Sequence, residues 1–276
     1  MVYKILILIS ILQSSIILRS ESSIMSFNIK YDGKMETKYS WSNRRNDVLN
    51  IINANKPEIF GVQEALVNQI VFLNENLAEY NYVGVGRDDG NELGEFAAIF
   101  YNESKYSVLS STTFWLSENP EIPSTSWGAV TKRIATFAIL KNEKLGDTLY
   151  VFNTHFDHKS KKSREESAKL ILRRIQDLQI EEEKIVLMGD LNCFHISKPI
   201  KILKSKFVDS YNKRNKEEKS IGTYNGFNNL KRRIDYIFTN NIVVLSYKTI
   251  YTKNDKNDFI SDHYPIMITF SNKIEE

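Results

Sequence analysis

Two short segments in the second half of the chain carry the residue types that hydrolysis requires. Residues 189–192 read Gly-Asp-Leu-Asn and follow an apolar run, and residues 261–263 read Ser-Asp-His and directly precede the last apolar run. A positioned carboxylate can take a proton from water, and a histidine can hold or release one near neutral pH. The two segments together indicate acid–base hydrolysis, with Asp190 as the candidate base.

Polar residues of the same kind stand at four other apolar runs. Asn28, Glu64 and His155 lie where such runs end, and Asp235 lies within one. Taken singly, a polar residue at the end of a strand is ordinary. The set is more specific, because rigid scaffolds carry their chemistry where strands pass into loops. Six separate strands therefore contribute candidates for one site.

The oxygen ligands in this set suit Mg²⁺. This hard cation takes oxygen ligands, keeps several waters and is typically held by one or two carboxylates together with substrate phosphate. Glu64 is the best ligand candidate, with Asp262 or Asn28 assisting. We therefore expect Mg²⁺ as the cofactor, with Mn²⁺ as an alternative.

A phosphoester hydrolase also needs a base that orients water and donors for the charge that develops on the phosphorus oxygens. Asp190 can supply the base. Asn192, His155 and His263 can supply the donors. Asp235 can orient His263 and keep it protonated, because a nearby carboxylate raises the pKa of a histidine.

In their order along the chain, these residues resemble the endonuclease/exonuclease/phosphatase superfamily. That superfamily includes pancreatic deoxyribonuclease, neutral sphingomyelinases, inositol polyphosphate phosphatases and nocturnin-like deadenylases. The resemblance runs from residue 24 to residue 270. The motifs that carry it are Asn28, Gln63-Glu64, Asn153-Thr-His155, Gly189-Asp190-Leu-Asn192, Ile234-Asp235-Tyr236 and Ser261-Asp262-His263.

The resemblance implies a four-layer α/β sandwich with its site at one end of two packed sheets. It implies that Glu64 binds the metal and that Asp190 activates the attacking water. The other implied roles are that Asn192 positions substrate or water, Asn28 lies in the metal or phosphate shell, His155 contacts the phosphate, Asp235 pairs with His263, and Asp262 lies near the metal. The chain departs from some relatives at Lys30, where they place an acidic residue.

Residues 114–118 and 126–128 look like a largely bacterial branch of this superfamily that is related to nocturnin-like proteins. Arg133 is a candidate substrate-binding residue, because a guanidinium fork matches phosphate oxygens. The alternative is that Arg133 pairs with a surface carboxylate. Asn28 and Asn153 are the other candidate substrate-binding residues.

Three rival interpretations are weaker. A zinc hydrolase would need a histidine at position 153, where Asn stands, and zinc sites favour His and Cys ligands, of which the chain has four and one. Cys193 lies beside the candidate base, but packing explains this cysteine better than nucleophilic attack. A non-catalytic binding module would be expected to lose Glu64, Asp190 or His263, and all three are present.

The motifs favour a phosphodiesterase of the nuclease type, with a lipid or sugar-phosphate enzyme as the alternative, and leave the substrate itself open. A nuclease needs a groove of basic side chains and stacking aromatics along the phosphate backbone. A lipid or sugar-phosphate phosphatase or phosphodiesterase would instead need a pocket or an exposed apolar loop. We expect a phosphate-ester partner, which a nucleic acid could provide, and a monomeric chain.

The elements that must position these residues are short β-rich runs and a few amphipathic helices. Helices are predicted over 43–54, 67–78 and 163–178, the last with Ser163 as its N-cap. This order favours an α/β fold of two packed, mainly antiparallel sheets flanked by helices. Strands are predicted over 24–29, 59–63, 96–101, 106–114, 134–140, 148–154, 185–188, 233–239, 242–250 and 266–270.

Length and composition agree with one catalytic domain over residues 22–276. The chain has 276 residues, 42% of them hydrophobic, and a formal net charge of +3, which does not by itself indicate a nucleic-acid partner. Residues 1–21 carry Lys4 followed by an interrupted apolar stretch, which is typical of a cleavable signal peptide. We therefore expect export, either secretion or a periplasmic or envelope location, and no stable membrane anchor.

Overall fold

Two six-stranded β-sheets pack face to face and carry helices on their outer faces. The computed structural model describes residues 21–33, 38–217 and 222–272. Its strands are β1 (Glu21–Asn28), β2 (Ile59–Gln63), β3 (Tyr80–Val83), β4 (Ile99–Asn102), β5 (Tyr106–Trp115), β6 (Ile134–Asn142), β7 (Thr148–His155), β8 (Ile185–Asp190), β9 (Val208–Asp209), β10 (Asp235–Asn240), β11 (Val243–Thr249) and β12 (Ile266–Ser271). Its helices are α1 (Trp41–Asn55), α2 (Val67–Asn76), α3 (Lys161–Asp177) and α4 (Lys198–Leu203), and a 3₁₀ turn covers Ser210–Lys213.

The two sheets have similar topologies. The first has the strand order β11-β12-β1-β2-β4-β3, and the second has the order β5-β6-β7-β8-β10-β9. Each sheet contains one parallel pair near its middle, β1–β2 in the first and β7–β8 in the second, and the other pairs are antiparallel. The predicted four-layer α/β sandwich with mainly antiparallel sheets is confirmed.

Alternate side chains of β1 pack into two different apolar clusters, one on each face of the sheet. Ile24 belongs to the cluster between the sheets, which draws residues from both of them. Met25 and Phe27 belong to the outer cluster, which also contains the buried face of α1 and α2. Because both faces of the strand are covered, residues 24–28 are all buried, with no alternation of buried and exposed positions.

Helix α3 covers the outer face of the second sheet with an apolar stripe. Ala168, Ile171 and Ile175 are buried there. The prediction that Ser163 caps this helix is wrong, because the N-cap is Ser160, whose hydroxyl accepts a hydrogen bond from the Ser163 N–H at 3.0 Å. The helix begins with Lys161, two residues earlier than predicted.

Three short elements, β3, α4 and β9, were not predicted from the sequence. They contain four, six and two residues, which is too few for a periodic pattern to emerge. The predicted signal peptide covers residues 1–21. Residues 1–20 lie outside the described residues, and Glu21 begins β1. Among the described residues no helix has the length and apolar character that crossing a membrane requires.

Candidate active site

The carboxyl ends of both parallel strand pairs lie at one edge of the sandwich. Asn28 pairs with Gln63 at the end of β1–β2, and His155 pairs with Asp190 at the end of β7–β8. Glu64 follows β2 directly. Because parallel strands end on the same side of a sheet, four of the six predicted strand ends meet here.

Antiparallel strands bring the remaining candidates to the same edge. β10 runs antiparallel to β8, so that its first residue, Asp235, lies opposite Asp190. Residues 261–263 precede β12, which runs antiparallel to β1. The Ser261 hydroxyl ties them to the end of β1 by donating to the Asn28 carbonyl at 2.7 Å. The structure therefore unites the strand-end residues that the sequence proposed.

Asp190 lies at the centre of this group and is almost fully buried. Its Oδ2 accepts a hydrogen bond from Asn28 Nδ2 at 3.1 Å and lies 3.5 Å from both His155 Nε2 and His263 Nε2. Its Oδ1 accepts from the Asn192 backbone N–H at 2.9 Å. Burial, which outweighs the attraction of His263, raises the pKa of Asp190 to about 7.

Gly189 allows the chain to present Asp190 in this way. Its φ of 142° is a conformation that L side chains rarely adopt, and a Cβ at this position would lie 1.9 Å from the Thr154 carbonyl oxygen. Asn192 also has a positive φ, of 47°. The Gly-Asp-Leu-Asn motif therefore supplies functional groups, and its glycine also permits the backbone conformation that positions them.

Asp235 and His263 form the hydrogen-bonded pair that the resemblance implied. His263 Nδ1 lies 2.9 Å from Asp235 Oδ2, and both residues are buried. Burial opposes a charged imidazole, but the carboxylates of Asp235 and Asp190 raise the pKa of His263 to about 10. At neutral pH His263 is therefore an imidazolium whose two N–H groups face two carboxylates.

Glu64 and Asp262 form a second acidic pair beside Asp190, with Lys30 between them. Lys30 Nζ lies 3.3 Å from Glu64 Oε2 and 3.4 Å from Asp262 Oδ2. Burial opposes the charge of Glu64, but Lys30 and His263 hold its pKa below the usual range. Glu64 has a φ of 64°, and its Oε2 also accepts from the Tyr31 N–H at 3.3 Å.

The donor set around Glu64 fits a divalent cation. One ligand atom each from Glu64, Asp190 and His263 lie within 4.8 Å of one another. His263 has no free lone pair when both of its nitrogens are protonated, so the carboxylates are the better ligands, as Mg²⁺ prefers. Glu64 is therefore the carboxylate of this cluster that is free to hold the ion beside Asp190, and Asp262 lies close by, on the other side of Lys30.

Asn28 has a different orientation from the one a metal ligand needs. Its Nδ2 donates to Glu64 Oε1 and to Asp190 Oδ2, each at 3.1 Å, and its Oδ1 accepts from the Lys30 N–H at 3.1 Å. The amide therefore turns its NH₂ group toward the carboxylates. A direct metal bond from Asn28 would require the amide to turn over, and its observed part is to orient Glu64 and Asp190.

On the other side of Asp190, the nearest charged group to the far nitrogen of His155 is a cation, and the Glu95 carboxylate lies farther away, at 3.8 Å. Arg133 Nη1 lies 2.9 Å from His155 Nδ1, and Arg133 Nη2 lies 3.1 Å from His158 Nδ1. Burial, reinforced by Arg133, lowers the pKa of His155 well below its usual value. Because a guanidinium can only donate, His155 Nδ1 accepts, and the neutral ring carries its proton on Nε2, which lies 3.5 Å from Asp190 Oδ2 and 3.1 Å from the side-chain amide of Asn192.

Two further residues complete this side and were missed from the sequence. Glu95 Oε2 lies 2.6 Å from Arg87 Nη1 and 3.6 Å from Arg133 Nη1. Arg87 and Glu95 belong to residues 84–95, which carry no apolar periodicity that would have marked them. The alternative that Arg133 pairs with a carboxylate is thus present in part, but the partner is a half-buried residue of the cleft and not a surface group.

The substrate-binding role predicted for Asn153 does not fit its position and is corrected. Asn153 is fully buried between the sheets and does not line the cleft. Its Nδ2 donates to the carbonyls of Val62 and Ala98 at 2.9 and 2.8 Å, and its Oδ1 accepts from Gln63 Nε2 at 2.7 Å. Asn153 therefore joins the second sheet to the first.

Cys193 packs in the core, as predicted. It is buried in the outer cluster of the second sheet, and burial raises the pKa of its thiol to about 12. Nucleophilic attack needs the thiolate, which is scarce at that pKa. The cysteine therefore has no catalytic part near neutral pH.

A cleft of about 1350 Å³ is lined by seven of the predicted site residues, which are Glu64, Arg133, His155, Asp190, Asn192, Asp262 and His263. Its lining includes eight lysine and arginine residues against five acidic ones, which suits an anionic substrate. Phe194 and Ile196 follow Asn192 on the rim and are 51% and 69% exposed. Arg133 and Asn192 line the cleft, as a residue that contacts substrate must.

Comparisons with known proteins agree with this geometry. The sequence model of the Endonuclease/Exonuclease/phosphatase family matches residues 25–263. A curated relative from Acanthamoeba polyphaga mimivirus, the uncharacterized protein L388, is 30% identical over 162 residues, which are 56% of this chain. The matched region spans 60% of that relative's length.

Two solved bacterial structures superpose on nearly the whole chain. An endonuclease/exonuclease/phosphatase from Bacteroides vulgatus is 32% identical, with a TM-score of 0.86, over 93% of this chain and 100% of that one. A mannosyl-6-phosphatase from Bacteroides thetaiotaomicron is 32% identical, with a TM-score of 0.83, over 90% of this chain and 98% of that one.

Proposed function

Because the chain belongs to the endonuclease/exonuclease/phosphatase family, we propose that it is a Mg²⁺-dependent phosphoester hydrolase in which Asp190 activates the attacking water. Family membership confirms the resemblance that the sequence motifs indicated, and it makes the chain a hydrolase of phosphoester bonds. The choice of metal, the roles of individual residues and the substrate are the proposed part.

The environment of Asp190 carries the proposal. The Asp190 carboxylate lies at the floor of the cleft, 3.5 Å from two histidines. Its hydrogen bond from Asn28 helps to hold it in one orientation. Its pKa of about 7 lets it accept a proton near neutral pH without binding that proton irreversibly. These properties are the ones that a general base for water requires.

In the proposed reaction, water attacks phosphorus and the bond from phosphorus to the leaving oxygen breaks. The attacking water gives its proton to Asp190, and the electron pair of the broken bond leaves with the alcohol oxygen. Negative charge grows on the phosphoryl oxygens during this step. His263, kept cationic by Asp235, can donate Nε2–H to one of these oxygens, and Asn192 can position the phosphate or the water.

Glu64 and Asp262 would hold the divalent cation at the side of the cleft nearest Lys30. When bound, the cation supplies positive charge that stabilises the phosphoryl oxygens in the transition state. Asn28 supports this arrangement because it fixes the carboxylates of Glu64 and Asp190 at one distance from each other. Oxygen ligands favour Mg²⁺, and Mn²⁺ would also be accepted.

The substrate that we favour is a sugar phosphate. The support is the similarity to the mannosyl-6-phosphatase, which extends over nearly all of both chains at 32% identity. A nucleic acid is the second candidate, and the support for it is the excess of basic residues along the cleft together with the exposed ring of Phe194.

A substrate panel tests both parts of the proposal. Mannose 6-phosphate, glucose 6-phosphate, bis-p-nitrophenyl phosphate, single-stranded DNA and single-stranded RNA would be compared as kcat/KM with Mg²⁺ and after chelation by EDTA. We expect the highest kcat/KM with a sugar phosphate and loss of activity in EDTA that Mg²⁺ restores. Zinc alone should not restore the full rate.

Asp190→Ala is the control that links any activity to this site. Hydrolysis that survives in this variant would come from a contaminant or from another site. A higher kcat/KM for DNA or RNA than for every sugar phosphate would favour the second candidate. Full activity in EDTA would contradict the metal requirement for all substrates.

We also propose that the protein is exported as a monomer. The support for export is the apolar stretch within residues 1–21. Fractionation of cells that express the full chain, followed by N-terminal sequencing, would show whether the product begins near residue 22. A product that retains residue 1 in the cytoplasm would contradict export, and light scattering would test the monomer.

A further inference from the structure

Lys30 places a positive charge between the two carboxylates that would hold the metal. Its Nζ lies 3.3 Å from Glu64 Oε2 and 3.4 Å from Asp262 Oδ2. The lysine side chain is 27% exposed, against 11% and 8% for its two partners. The ammonium group therefore reaches both carboxylates from the open side, where the cleft lies.

The backbone of Lys30 is fixed, so the direction of its side chain is a built feature of the site. Its φ is 61°, and its N–H donates to Asn28 Oδ1. Its carbonyl accepts from Gln69 Nε2 at 2.9 Å and from Arg44 Nη2 at 3.2 Å. These bonds anchor the turn after β1 on both sides, and the lysine leaves the turn into the cleft.

Among the residues that the structure describes, His263 is a second cation near these carboxylates, with one of its nitrogens within 4.8 Å of a Glu64 oxygen. His263 directs its two nitrogens at Asp235 and Asp190. Lys30 is the cation that contacts Glu64 and Asp262 together. A divalent ion that bound these two carboxylates would meet the ammonium at contact distance, and like charges so close repel strongly in a partly buried site.

We propose that Lys30 and the divalent cation exchange places at Glu64 and Asp262. The ammonium neutralises the two carboxylates, leaves them when the cation binds, and then contacts the substrate phosphate in the cleft. The flexible four-carbon stem of lysine permits this movement while the backbone stays in place. The inference rests on the proposed function, since it takes Glu64 and Asp262 as the metal ligands.

Calorimetric titration of Mn²⁺ and of Mg²⁺ into the full chain tests the exchange. Lys30→Met removes the competing charge and keeps the length of the side chain. We expect the Kd for Mn²⁺ to fall by about tenfold, which corresponds to about 1.4 kcal/mol. Lys132→Met is the matched control, because Lys132 pairs with Asp88 at 3.4 Å and is 32% exposed. An equal or higher Kd in Lys30→Met would overturn the proposal.

Amine labelling of the wild-type protein separates exchange from a simple effect of charge. The protein would be treated with a low dose of acetic anhydride, with and without saturating Mn²⁺, and each lysine quantified by mass spectrometry. We expect labelling of Lys30 to rise several-fold with Mn²⁺ while that of Lys132 stays constant. Labelling of Lys30 that stays constant or falls would show that the ammonium does not leave, whatever the Kd of the variant.

The results also separate this inference from the proposed function. Hydrolysis that needs a divalent cation, combined with unchanged Kd and labelling, would leave the metal requirement intact and remove the exchange. A wild-type protein that binds no divalent cation and hydrolyses phosphoesters in EDTA would remove both.

Discussion

The two sides of Asp190 differ in the charge of the residue that contacts each flanking histidine. His155 and His263 are both buried, and each lies 3.5 Å from Asp190 Oδ2 through its Nε2. Arg133 contacts the far nitrogen of His155, and Asp235 contacts the far nitrogen of His263. The pKa of the first histidine is lowered and that of the second is raised.

Because both rings are buried, the charges around each ring decide its protonation state, and the partner at Nδ1 is the nearest of them. Burial lowers the pKa of both rings, and only the carboxylate neighbours of His263 overcome it. One side of the base therefore offers a neutral donor and the other a cation. A phosphate in the cleft would meet unequal electrostatic environments, with the stronger stabilisation on the His263 side.

The largest effect on kcat is expected from a substitution of Asp190, which lies between the two histidines. Asp190→Asn keeps the shape of the side chain but removes the base, so kcat should fall on the order of 10³-fold to 10⁴-fold. The rate would be measured with the best substrate of the panel at saturating Mg²⁺. An unchanged circular dichroism spectrum would serve as the control for folding, and a variant within tenfold of the wild-type kcat would exclude Asp190 as the base.

The two histidines should then differ in the cost of their removal. His263→Gln removes a charged donor and should lower kcat by about 10²-fold, whereas His155→Gln removes a neutral donor and should cost about tenfold. Side-by-side steady-state kinetics of the two variants provide the measurement. Equal losses of kcat, or a larger loss for His155→Gln, would mean that the difference in charge between the two histidines does not affect the reaction rate.

A change at Asp235 should remove the protonation difference itself. Asp235→Asn withdraws the carboxylate that raises the pKa of His263, and burial then lowers that pKa from about 10. In the proposed reaction His263 acts in its protonated form, so activity is lost as pH rises through the pKa of His263. The variant should therefore lose activity at a lower pH than the wild type. NMR titration of the ring and a pH–rate profile would both detect the shift.

Asp209→Asn is the matched control for that experiment. Asp209 is also a buried aspartate and bonds to Arg233 at 2.5 Å, but it pairs with Phe238, toward the other end of β10. Its replacement should reduce thermal stability and leave the pKa of His263 unchanged. A shift of equal size in both variants would point to a general loss of packing.

The smallest effect is expected on the side of Arg133. Arg133→Met removes a cation that lowers the pKa of His155, so that pKa should rise, and NMR titration of the ring would measure it. We expect KM to rise, because Arg133 is the candidate contact for the substrate phosphate, and kcat to change by less than about threefold, because the ring stays a donor in either state. Arg173→Met, on an exposed part of α3, is the control. An unchanged pKa of His155 would contradict the contact seen here.

The sequence predicted the strand-end residues because each of them interrupts or ends an apolar run. Asn28, Glu64 and Asp190 could be marked without knowledge of the strand order, and the parallel pairs then brought them together. The charge partners of His155 could not be predicted in the same way. Glu95 reaches the site from residues 84–95, which form a segment without a periodic pattern, so only the tertiary structure shows the contact.

Asn153 shows the opposite kind of error. It precedes His155 by two residues in the same strand, and sequence position alone suggested that both face the substrate. In the structure its amide meets two backbone carbonyls across the gap between the sheets, where Gly61 leaves room for it, since a Cβ there would lie 2.7 Å from Asn153 Cγ. The residues that lie opposite Asn153 depend on how the two sheets pack, and the sequence of the strand does not contain that information.

The bond from Asn28 to Asp190 and the bond from Asp235 to His263 both cross from one sheet to the other. The candidate active site therefore lies at the boundary between the two sheets, each of which keeps its own hydrogen-bond ladder. A slide of one sheet past the other by a single residue, about 3.3 Å, would break both bonds and leave the ladders intact. Loss of activity on heating would then report misalignment of the sheets before any strand has melted.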